Sequence, residues 1–280
     1  MSSYSVRPMT RDELDFAVDL AAREGWNPGL HDADCFHRAD PGGFLVGLLD
    51  GRPIACISAV SYGGAFGFVG FYIVLPEYRG QGYGLRIWQA AMARLAGHNV
   101  GLDGVLDQQA NYRKSGFKLA YRNIRYEGVA SESHASAPLT PLGDLGLDAL
   151  IDYDRAFFPS ERRTFLEAWR ALPESFGLAW LEEGRPRGYG VIRRCRRGWK
   201  IGPLFADDAD IATALYDSLV ARVDAGAPVY LDVPEVNPAA LALAKRKGMR
   251  KVFETARMYT GEAPPLALSR LYGVTTFELG

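Results

Sequence analysis

The residues best suited to bind a ligand form a glycine-rich run, Arg79-Gly80-Gln81-Gly82-Tyr83-Gly84. Three glycines at alternate positions allow a tight turn whose successive N–H groups point into one concavity. The run follows an apolar stretch that predicts a strand over 67–75, and it precedes a predicted helix over 85–95. Because a helix N-terminus favours phosphate oxygens, the run predicts a phosphate-binding loop. The face of the helix expected to be buried carries Leu85, Trp88, Met92 and Leu95.

Two common phosphate loops do not fit these residues. No Gly-Lys-Ser/Thr tripeptide follows, as a Walker loop requires, and Leu85 stands where a dinucleotide fingerprint has its third glycine. The residues match Arg/Gln-x-x-Gly-x-Gly/Ala instead, with Arg79, Gly82 and Gly84 in register. With residues 74–78 before it, the run resembles the acetyl-CoA pyrophosphate loop of the Gcn5-related N-acetyltransferase (GNAT) superfamily.

A second match lies further along the chain, in residues 111–117, Asn-Tyr-Arg-Lys-Ser-Gly-Phe. They resemble the family's Tyr-x-x-x-Gly-Phe, in which the tyrosine lies near the thioester sulfur and protonates the departing thiolate. The resemblance assigns that role to Tyr112. A thiol with an ordinary pKa of about 8.5 leaves more easily when a positioned phenol supplies a proton as the C–S bond breaks.

The 280 residues read as two related halves, as the length also suggests. Short matches recur in order and at a nearly constant spacing, so that Gly51 is repeated as Gly184, and Gly116 as Gly248. Residues 129–138 between the halves are small and polar, which is typical of a linker. We therefore predict two tandem GNAT-like domains, 1–128 and 139–280.

The second half lacks the residues that carry chemistry in the first half. Asp207, Asp208 and Asp210 stand where the first half has its glycines, and Ala244 stands where it has Tyr112. Carboxylates repel a pyrophosphate. We therefore interpret 1–128 as the catalytic domain and 139–280 as a degenerate copy that supports the fold and shapes the acceptor pocket. An unrelated α+β domain is the alternative for the second half.

The pattern of predicted strands and helices agrees with the fold that the resemblance implies. That fold is α+β, an α/β/α sandwich in which each domain is a mixed, mostly antiparallel sheet flanked by helices. In the family two central strands splay apart, and the pantetheine arm of the cofactor pairs with exposed backbone in the gap. The resemblance places Ile73 and Val74 at this backbone, where N–H groups could also stabilise the developing oxyanion. Predicted strands span 4–8, 44–49, 54–62, 67–75, 100–105 and 118–126; predicted helices span 11–23 and 85–95, and a short helix ends near residue 115.

The implied reaction is direct transfer of an acetyl group from acetyl-CoA to a primary amine in a ternary complex. The amine must attack in its neutral form, so a general base or a water chain is needed. Asp103 is the first candidate for this base, and a structural role for its carboxylate fits equally well. Weaker candidates are Asp107, Tyr72 and His37. Val105 stands where many family members have an asparagine, so the asparagine contact to pantetheine is in doubt here.

The segment after the first helix borders the acceptor site in this family. It contains Trp26, Asn27 and Asp32, and Tyr72 is a further candidate contact. An aromatic wall with a carboxylate would suit a small cationic amine, so we expect a small-molecule or peptide amine as acceptor. The alternative is that Trp26 belongs to the core and Asp32 caps a helix.

Composition narrows the function classes. A net charge of −1 argues against broad affinity for nucleic acids or anionic membranes, and the three cysteines have no metal-binding spacing. No apolar stretch reaches membrane-spanning length. We expect a cytoplasmic monomer or homodimer without a metal. The tandem arrangement and the ending 272–279 resemble a bacterial branch of YitH-like acetyltransferases; a non-catalytic acyl-CoA sensor or scaffold is the alternative function.

Overall fold

A computed structural model describes residues 3–131 and 139–280 of the chain. The helices are α1 Arg11–Arg23, α2 Asp32–Ala39, α3 Tyr83–Arg94, α4 Gln109–Lys114, α5 Leu147–Asp154, α6 Arg163–Trp169, α7 Ala209–Val220 and α8 Pro238–Arg246. The strands are β1 Tyr4–Pro8, β2 Phe44–Leu49, β3 Arg52–Tyr62, β4 Phe66–Val74, β5 Asn99–Val105, β6 Lys118–Val129, β7 Thr140–Pro141, β8 Ser175–Glu182, β9 Arg185–Arg194, β10 Trp199–Ala206, β11 Pro228–Pro234, β12 Arg250–Tyr259 and β13 Leu271–Gly273. None of the helices in the described ranges is long and apolar enough to cross a membrane.

The strands of the described chain form one continuous mixed sheet. Its order is β1-β2-β3-β4-β5-β12-β6-β11-β10-β9-β8-β7, and β13 lies beside β10. Only β4 with β5 and β10 with β11 are parallel pairs within these ranges. The predicted α+β fold, with mostly antiparallel sheets flanked by helices, is confirmed.

Helices cover both faces of the sheet, as the predicted sandwich requires. On β3, Cys56 and Val60 join a core that contains α1 and α2, whereas Ile57 and Ala59 join the core under α3. Successive residues of a strand face opposite sides, so these cores lie on opposite faces of the sheet. Helices α5 and α6 extend the first core, and α7 and α8 cover a third.

The buried face of α3 agrees with the prediction at Trp88 and Leu95, but Met92 is only half-buried and Leu85 is exposed. The helix buries Ile87, Trp88 and Ala91, and Leu95 is buried just after it. Leu85 is 59% exposed, because it lies in the first turn and borders an open groove instead of the core.

The last strand of each half is exchanged. The expectation that residues 118–126 close the sheet of the first half is corrected, since β12 of the second half lies beside β5. Strand β6 pairs with β12 on one side and with β11 on the other. Strands β6 and β12 have the same kind of sequence pattern, and each can form hydrogen bonds along both edges. The pattern of strands therefore cannot predict which of the two lies beside β5. The antiparallel β6–β12 pair joins the two halves into one sheet.

The predicted linker is only partly described. Strand β6 runs to Val129, and Ala130 exchanges backbone hydrogen bonds with Gly226 and Ala227, so residues 129–130 extend the pairing of β6 to the loop before β11. Residues 132–138 lie outside the described residues.

The hairpins β2–β3 and β8–β9 support a duplication. Asp50 and Gly51 turn with φ of 49° and 81°, and Glu183 and Gly184 turn with φ of 50° and 77°. Two successive positive φ values match the twist of a two-residue hairpin, and glycine adopts them without steric cost. The same turn therefore occurs at equivalent places in both halves.

Candidate active site

The parallel strands β4 and β5 separate halfway along their length. They pair only where Phe66–Val69 lies beside Asn99–Leu102, although β4 continues to Val74 and β5 to Val105. A bulge in the β3–β4 ladder accompanies the split, and Phe71 at this bulge has a φ of +48°. Such a backbone conformation in a residue with a side chain costs roughly 1–3 kcal/mol and clusters at functional sites. The split leaves the inner backbone of β4 open to a groove.

This groove is a cavity of about 540 Å³ that runs from the glycine-rich loop into the split. Gly80, Gly82 and Arg79 line one end, and Tyr72, Ile73 and Val74 line the other. The structure thus brings together the loop and the strand segment that the sequence proposed as one cofactor site.

The loop presents open backbone donors to the groove. Gly82 is the N-cap of α3 with a φ of +87°, and no side chain caps this helix in the described chain. The first N–H groups of an α-helix have no partner within the helix, so these donors are available to an anion. Gly84 serves packing: a Cβ there would lie 2.9 Å from the Tyr72 hydroxyl and 3.2 Å from Val74 Cγ2.

The polar side chains of the loop hold its own structure. Arg79 Nε donates to the Val74 carbonyl at 2.8 Å, and its guanidinium pairs with Glu24. Gln81 Nε2 donates to the Glu77 carbonyl at 2.9 Å. The ring of Tyr83 packs on those of Tyr4 and Tyr78. Arg79 lines the groove, so it places a positive charge there. Gln81 and Tyr83 instead stabilise the shape of the loop.

A smaller cavity of about 60 Å³ continues from the groove into the protein. The two cavities share wall residues, namely Trp26, Tyr72, Val105 and Gln108. The inner cavity lies in the split itself, between residues 69–72 of β4 and residues 102–105 of β5. Phe253, Thr255, Phe277 and Glu278 of the second half complete its wall, so residues of both halves build this cavity.

Tyr112 lies in the wall of the inner cavity. Its buried ring packs against Trp88 and Phe117, and a Cβ on Gly104 would lie only 2.3 Å from ring atom Cε2. None of the described residues hydrogen-bonds the Tyr112 hydroxyl. Burial raises the pKa of this phenol, with a smaller contribution from Tyr72. The group is therefore protonated at neutral pH, as a proton donor must be.

Asp103 also lines the inner cavity, but its carboxylate is held by neighbours. Arg257 binds both oxygens at 2.9 and 2.6 Å, and Asn123 donates to one of them at 2.8 Å. The Asp103 side chain has no exposed surface. A carboxylate bound in this way is poorly placed to accept a further proton, so the geometry favours the structural role that the sequence left open.

The other predicted residues divide between the cavities and the interface of the two halves. Trp26 and Tyr72 line both cavities, and exposed Asp107 lines the outer groove. Asn27 instead exchanges hydrogen bonds with the backbone of Arg197. Asp32 is fully buried in an ion pair with Arg193. Asn27 and Asp32 thus act on the fold, contrary to the expectation that they contact the acceptor.

His37, the weakest candidate for the base, lies in a separate surface cleft with Arg11 and Asp34. Within residues 3–131 and 139–280, no group of three or more His, Cys, Asp or Glu side chains could hold a metal ion.

Glu278 is a cavity residue that sequence reasoning missed as a site residue. It is 2% exposed, and neither carboxylate oxygen has a hydrogen-bond partner in the described chain. Burial raises the pKa of this carboxyl, and the positive charge of Lys200 lowers it less. The only sequence signal was a carboxylate in an apolar C-terminal run, which does not reveal that the run enters the first half. There, Gly70 lies so close that a Cβ would be 2.2 Å from the Glu278 carbonyl oxygen.

The equivalent places in the second half are filled by its own chain. At α7 the carboxylate of Asp208 caps the helix, accepting from the N–H groups of Asp210 and Ile211. Strand β10 pairs with β11 only over Trp199–Ile201, and β13 occupies the place beyond, pairing with β10. At the places equivalent to the loop and the split, the second half therefore has a helix start capped by Asp208 and a strand, β13, where the first half has an open gap.

Profiles of one family match both halves of the chain. The acetyltransferase (GNAT) family matches residues 9–117, and the acetyltransferase (GNAT) domain matches residues 150–273. The chain belongs to the GNAT superfamily. The two matches confirm the predicted tandem GNAT arrangement. GNAT proteins use an acyl-CoA as co-substrate. The chain is therefore an acyltransferase of this family.

Several relatives of this GNAT protein extend over most of its length. Holothin acyltransferase of Pseudoalteromonas sp. is 29% identical over 280 residues, which is 99% of this chain and 95% of the relative. The uncharacterized N-acetyltransferase YitH of Bacillus subtilis is 23% identical over 238 residues, 83% of each chain. The predicted likeness to YitH-like proteins is thereby confirmed.

Solved structures support the tandem fold. A candidate acetyltransferase from Pyrococcus horikoshii superposes with a TM-score of 0.84 at 21% identity, covering 99% of this chain and 96% of the other. A tandem GNAT protein from the clavulanic acid biosynthesis pathway superposes with a TM-score of 0.65 at 12% identity, covering 93% and 100%. At these identities the likeness concerns the fold alone.

Proposed function

We propose that this GNAT protein transfers an acetyl group from acetyl-CoA to a primary amine of a small molecule or peptide, by direct attack in a ternary complex. The proposal rests on one path through the first half. It begins at the backbone N–H groups at the start of α3, next to Gly82, and passes through the split between β4 and β5. It ends at the buried side chain of Tyr112. The path can hold a pyrophosphate at one end and a thioester at the other.

Each section of the path has a distinct chemical task in the proposed reaction. The open N–H groups of α3 and Arg79 bind the pyrophosphate oxygens. The edge of β4 near Ile73 and Val74 that faces the split binds the pantetheine arm as an added strand would. Backbone N–H groups beside the bulge stabilise the oxyanion, and Tyr112 donates a proton to the sulfur as the C–S bond breaks.

The size and enclosure of the inner cavity favour a small acceptor group. A volume of about 60 Å³ accommodates only a few water-sized groups, since about 10–15 Å³ of such volume holds one water. Trp26, Phe253 and Phe277 make most of this wall apolar. Holothin acyltransferase, a relative that matches 99% of this chain, is named for acyl transfer to holothin, which makes holothin a first acceptor to test. The enclosed, apolar cavity supports a small-molecule or peptide amine over a lysine on a folded protein surface.

We further propose that residues 1–128 form the catalytic unit and that residues 139–280 have lost cofactor binding. Asp208 at the start of α7 and β13 beside β10 occupy the two places that a second acyl-CoA would need. One acetyl-CoA per chain is the expected stoichiometry.

The experiment that tests the function is thiol release from acetyl-CoA across a panel of amines that includes holothin, comparing wild type with Tyr112→Phe. Removing a general acid typically costs 10²–10⁴-fold in rate, so we expect a turnover number at least tenfold lower, with acetyl-CoA affinity unchanged by calorimetry. Binding without turnover on any amine would favour the acyl-CoA sensor instead. Absence of acetyl-CoA binding would contradict the assignment of the loop at 79–84.

A further inference from the structure

Glu278 is a buried carboxyl that the proposed chemistry has not used. It stands in the wall of the inner cavity, and both carboxylate oxygens are buried and lack a hydrogen-bond partner in the described chain. Burying a carboxyl without a hydrogen-bond partner lowers the stability of the fold, so its presence calls for an explanation such as a functional role. Tyr112 and Tyr72, which follows the bulge at Phe71, also line this cavity, so Glu278 and the proposed proton donor are wall residues of the same cavity.

The charged groups around Glu278 are mostly neutralised by partners of their own. Arg193 of β9 pairs with Asp32 of α2, and Arg125 of β6 pairs with Asp232 of β11. Each of these two pairs is neutral as a unit, although Nη1 of Arg193 has no hydrogen-bond partner in the described chain.

Lys200 of β10 is the remaining cation near Glu278. Its Nζ donates to the Asn27 carbonyl at 2.8 Å, and burial lowers the pKa of its ammonium group. No ion pair joins Lys200 to Glu278 among the described residues, so the buried Glu278 carboxyl has no fixed partner at this edge of the cavity. Desolvation makes the carboxyl more basic than an exposed glutamate, and Lys200 limits that rise.

Asp103, which the sequence analysis named as the first candidate for the general base, is not free to act as one. Arg257 binds both of its oxygens, and Asn123 adds a third contact. Two carboxyl groups thus border one cavity in different states, one fixed as an ion pair and one without a partner. Two carboxyl groups in such different surroundings are suited to different roles, and here Asp103 suits a structural role and Glu278 an acid–base role.

We propose that Glu278, supplied by the second half of the chain, is the general base that accepts the proton of the attacking amine in the first half's cavity. This inference rests on the proposed N-acetyl transfer. The inner cavity of about 60 Å³ leaves room for a water molecule between the amine and the carboxylate, since about 10–15 Å³ of such volume holds one.

The amine nitrogen forms a bond to the acetyl carbon of acetyl-CoA, and one nitrogen proton passes to the Glu278 carboxylate directly or through that water. The C–S bond then breaks, its electron pair stays on sulfur, and Tyr112 gives the thiolate a proton. Glu278 returns its proton to solvent and Tyr112 regains one, so an amine and acetyl-CoA become an amide and free CoA.

The test compares wild type with Glu278→Gln, which keeps shape and volume but cannot accept the proton, and with Glu278→Asp, which keeps the base at a shorter reach. Glu167→Gln, an exposed change in α6, is the matched control. The measurements are acetyl-CoA affinity by calorimetry and the pH profile of kcat/KM with the best amine. The same profile is measured with a weakly basic amine, such as a hydroxylamine, that is neutral at pH 7.

We expect Glu278→Gln to bind acetyl-CoA as wild type does, to lose about 10²-fold or more in rate with a basic amine, and to lose the rise of kcat/KM with pH that wild type shows. The defect should shrink with the weakly basic amine, and Glu278→Asp should retain part of the rate. A merely structural role would move neither the pH profile nor the dependence on amine basicity.

Two contrary outcomes are distinct. If wild type acetylates amines and Glu278→Gln keeps both the rate and the pH profile, the role of Glu278 is refuted while the proposed function stands. If wild type binds acetyl-CoA but acetylates no amine at any pH, the proposed function fails and this role fails with it.

Discussion

The position of the Tyr112 ring depends on the absence of a side chain at Gly104. A Cβ at residue 104 would lie 2.3 Å from Cε2 and 2.7 Å from Cδ2 of the Tyr112 ring. Carbon atoms in favourable contact are about 3.5–4.0 Å apart, so Gly104→Ala requires a displacement of roughly 1.2 Å or more. Trp88 and Phe117 pack against the ring, which leaves it little room to move except out of its present place.

We expect Gly104→Ala to lose activity more than stability. Overpacking of this kind costs about 1–3 kcal/mol of the free energy of unfolding, whereas misplacing a reacting group by about 1 Å costs about 10²-fold in rate. The assay is kcat for thiol release from acetyl-CoA with the best amine, together with the free energy of unfolding from urea denaturation. Acetyl-CoA affinity should change little, because Gly104 does not line the outer groove.

The matched control is Gly101→Ala in the same strand. Its Cβ would lie 3.0 Å from atoms of Phe68 and Tyr259, on the opposite face of the sheet from Tyr112. This variant should lose stability of similar size and keep kcat. Wild-type kcat in Gly104→Ala, or an equal loss of kcat in both variants, would refute the reasoning that the glycine positions the proton donor.

Three further outcomes follow from the same geometry. Gly82→Ala should lose roughly 1 kcal/mol of stability, because its φ of +87° disfavours a side chain, and should weaken acetyl-CoA binding in calorimetry, whereas Gly97→Ala at φ +83° should lose only stability. Asp103→Asn should cost about 3–5 kcal/mol in urea denaturation, because it leaves Arg257 buried without its charge partner; a variant as stable as wild type would contradict the structural role. Asp208→Ala should cost about 1 kcal/mol through loss of the helix cap, while calorimetry still gives one acetyl-CoA per chain because β13 fills the gap; a second acetyl-CoA bound by the wild-type chain would contradict the degenerate assignment.

Much of the local structure of the first half was readable from the sequence. Strands β1 and β2 and helix α1 have the predicted bounds. Thr10 and Glu13 form a capping box at the start of α1, and short-range rules of this kind act within a few residues. The loop at 79–84 was equally readable, because glycines before a helix act through the local backbone.

The pairing of the last strands was not readable from the sequence. Strands β6 and β12 arise from a duplication, so the composition of either strand is compatible with pairing beside β5. Which one pairs there depends on contacts between residues more than a hundred positions apart. The roles of Asn27 and Asp32 were hidden for the same reason, since their partners Arg197 and Arg193 lie in the other half.

The sequence by itself determined the superfamily, the glycine-rich turn before α3 and the helical position of Tyr112, because the local backbone and motif spacing carry these features. Only the tertiary structure decided that Asp103 is bound to Arg257, and that Glu278 of the second half enters the cavity of the first. The physical reason is that the charge state and freedom of a carboxyl depend on which groups surround it in space. Those groups come from strands that the chain exchanges between its halves.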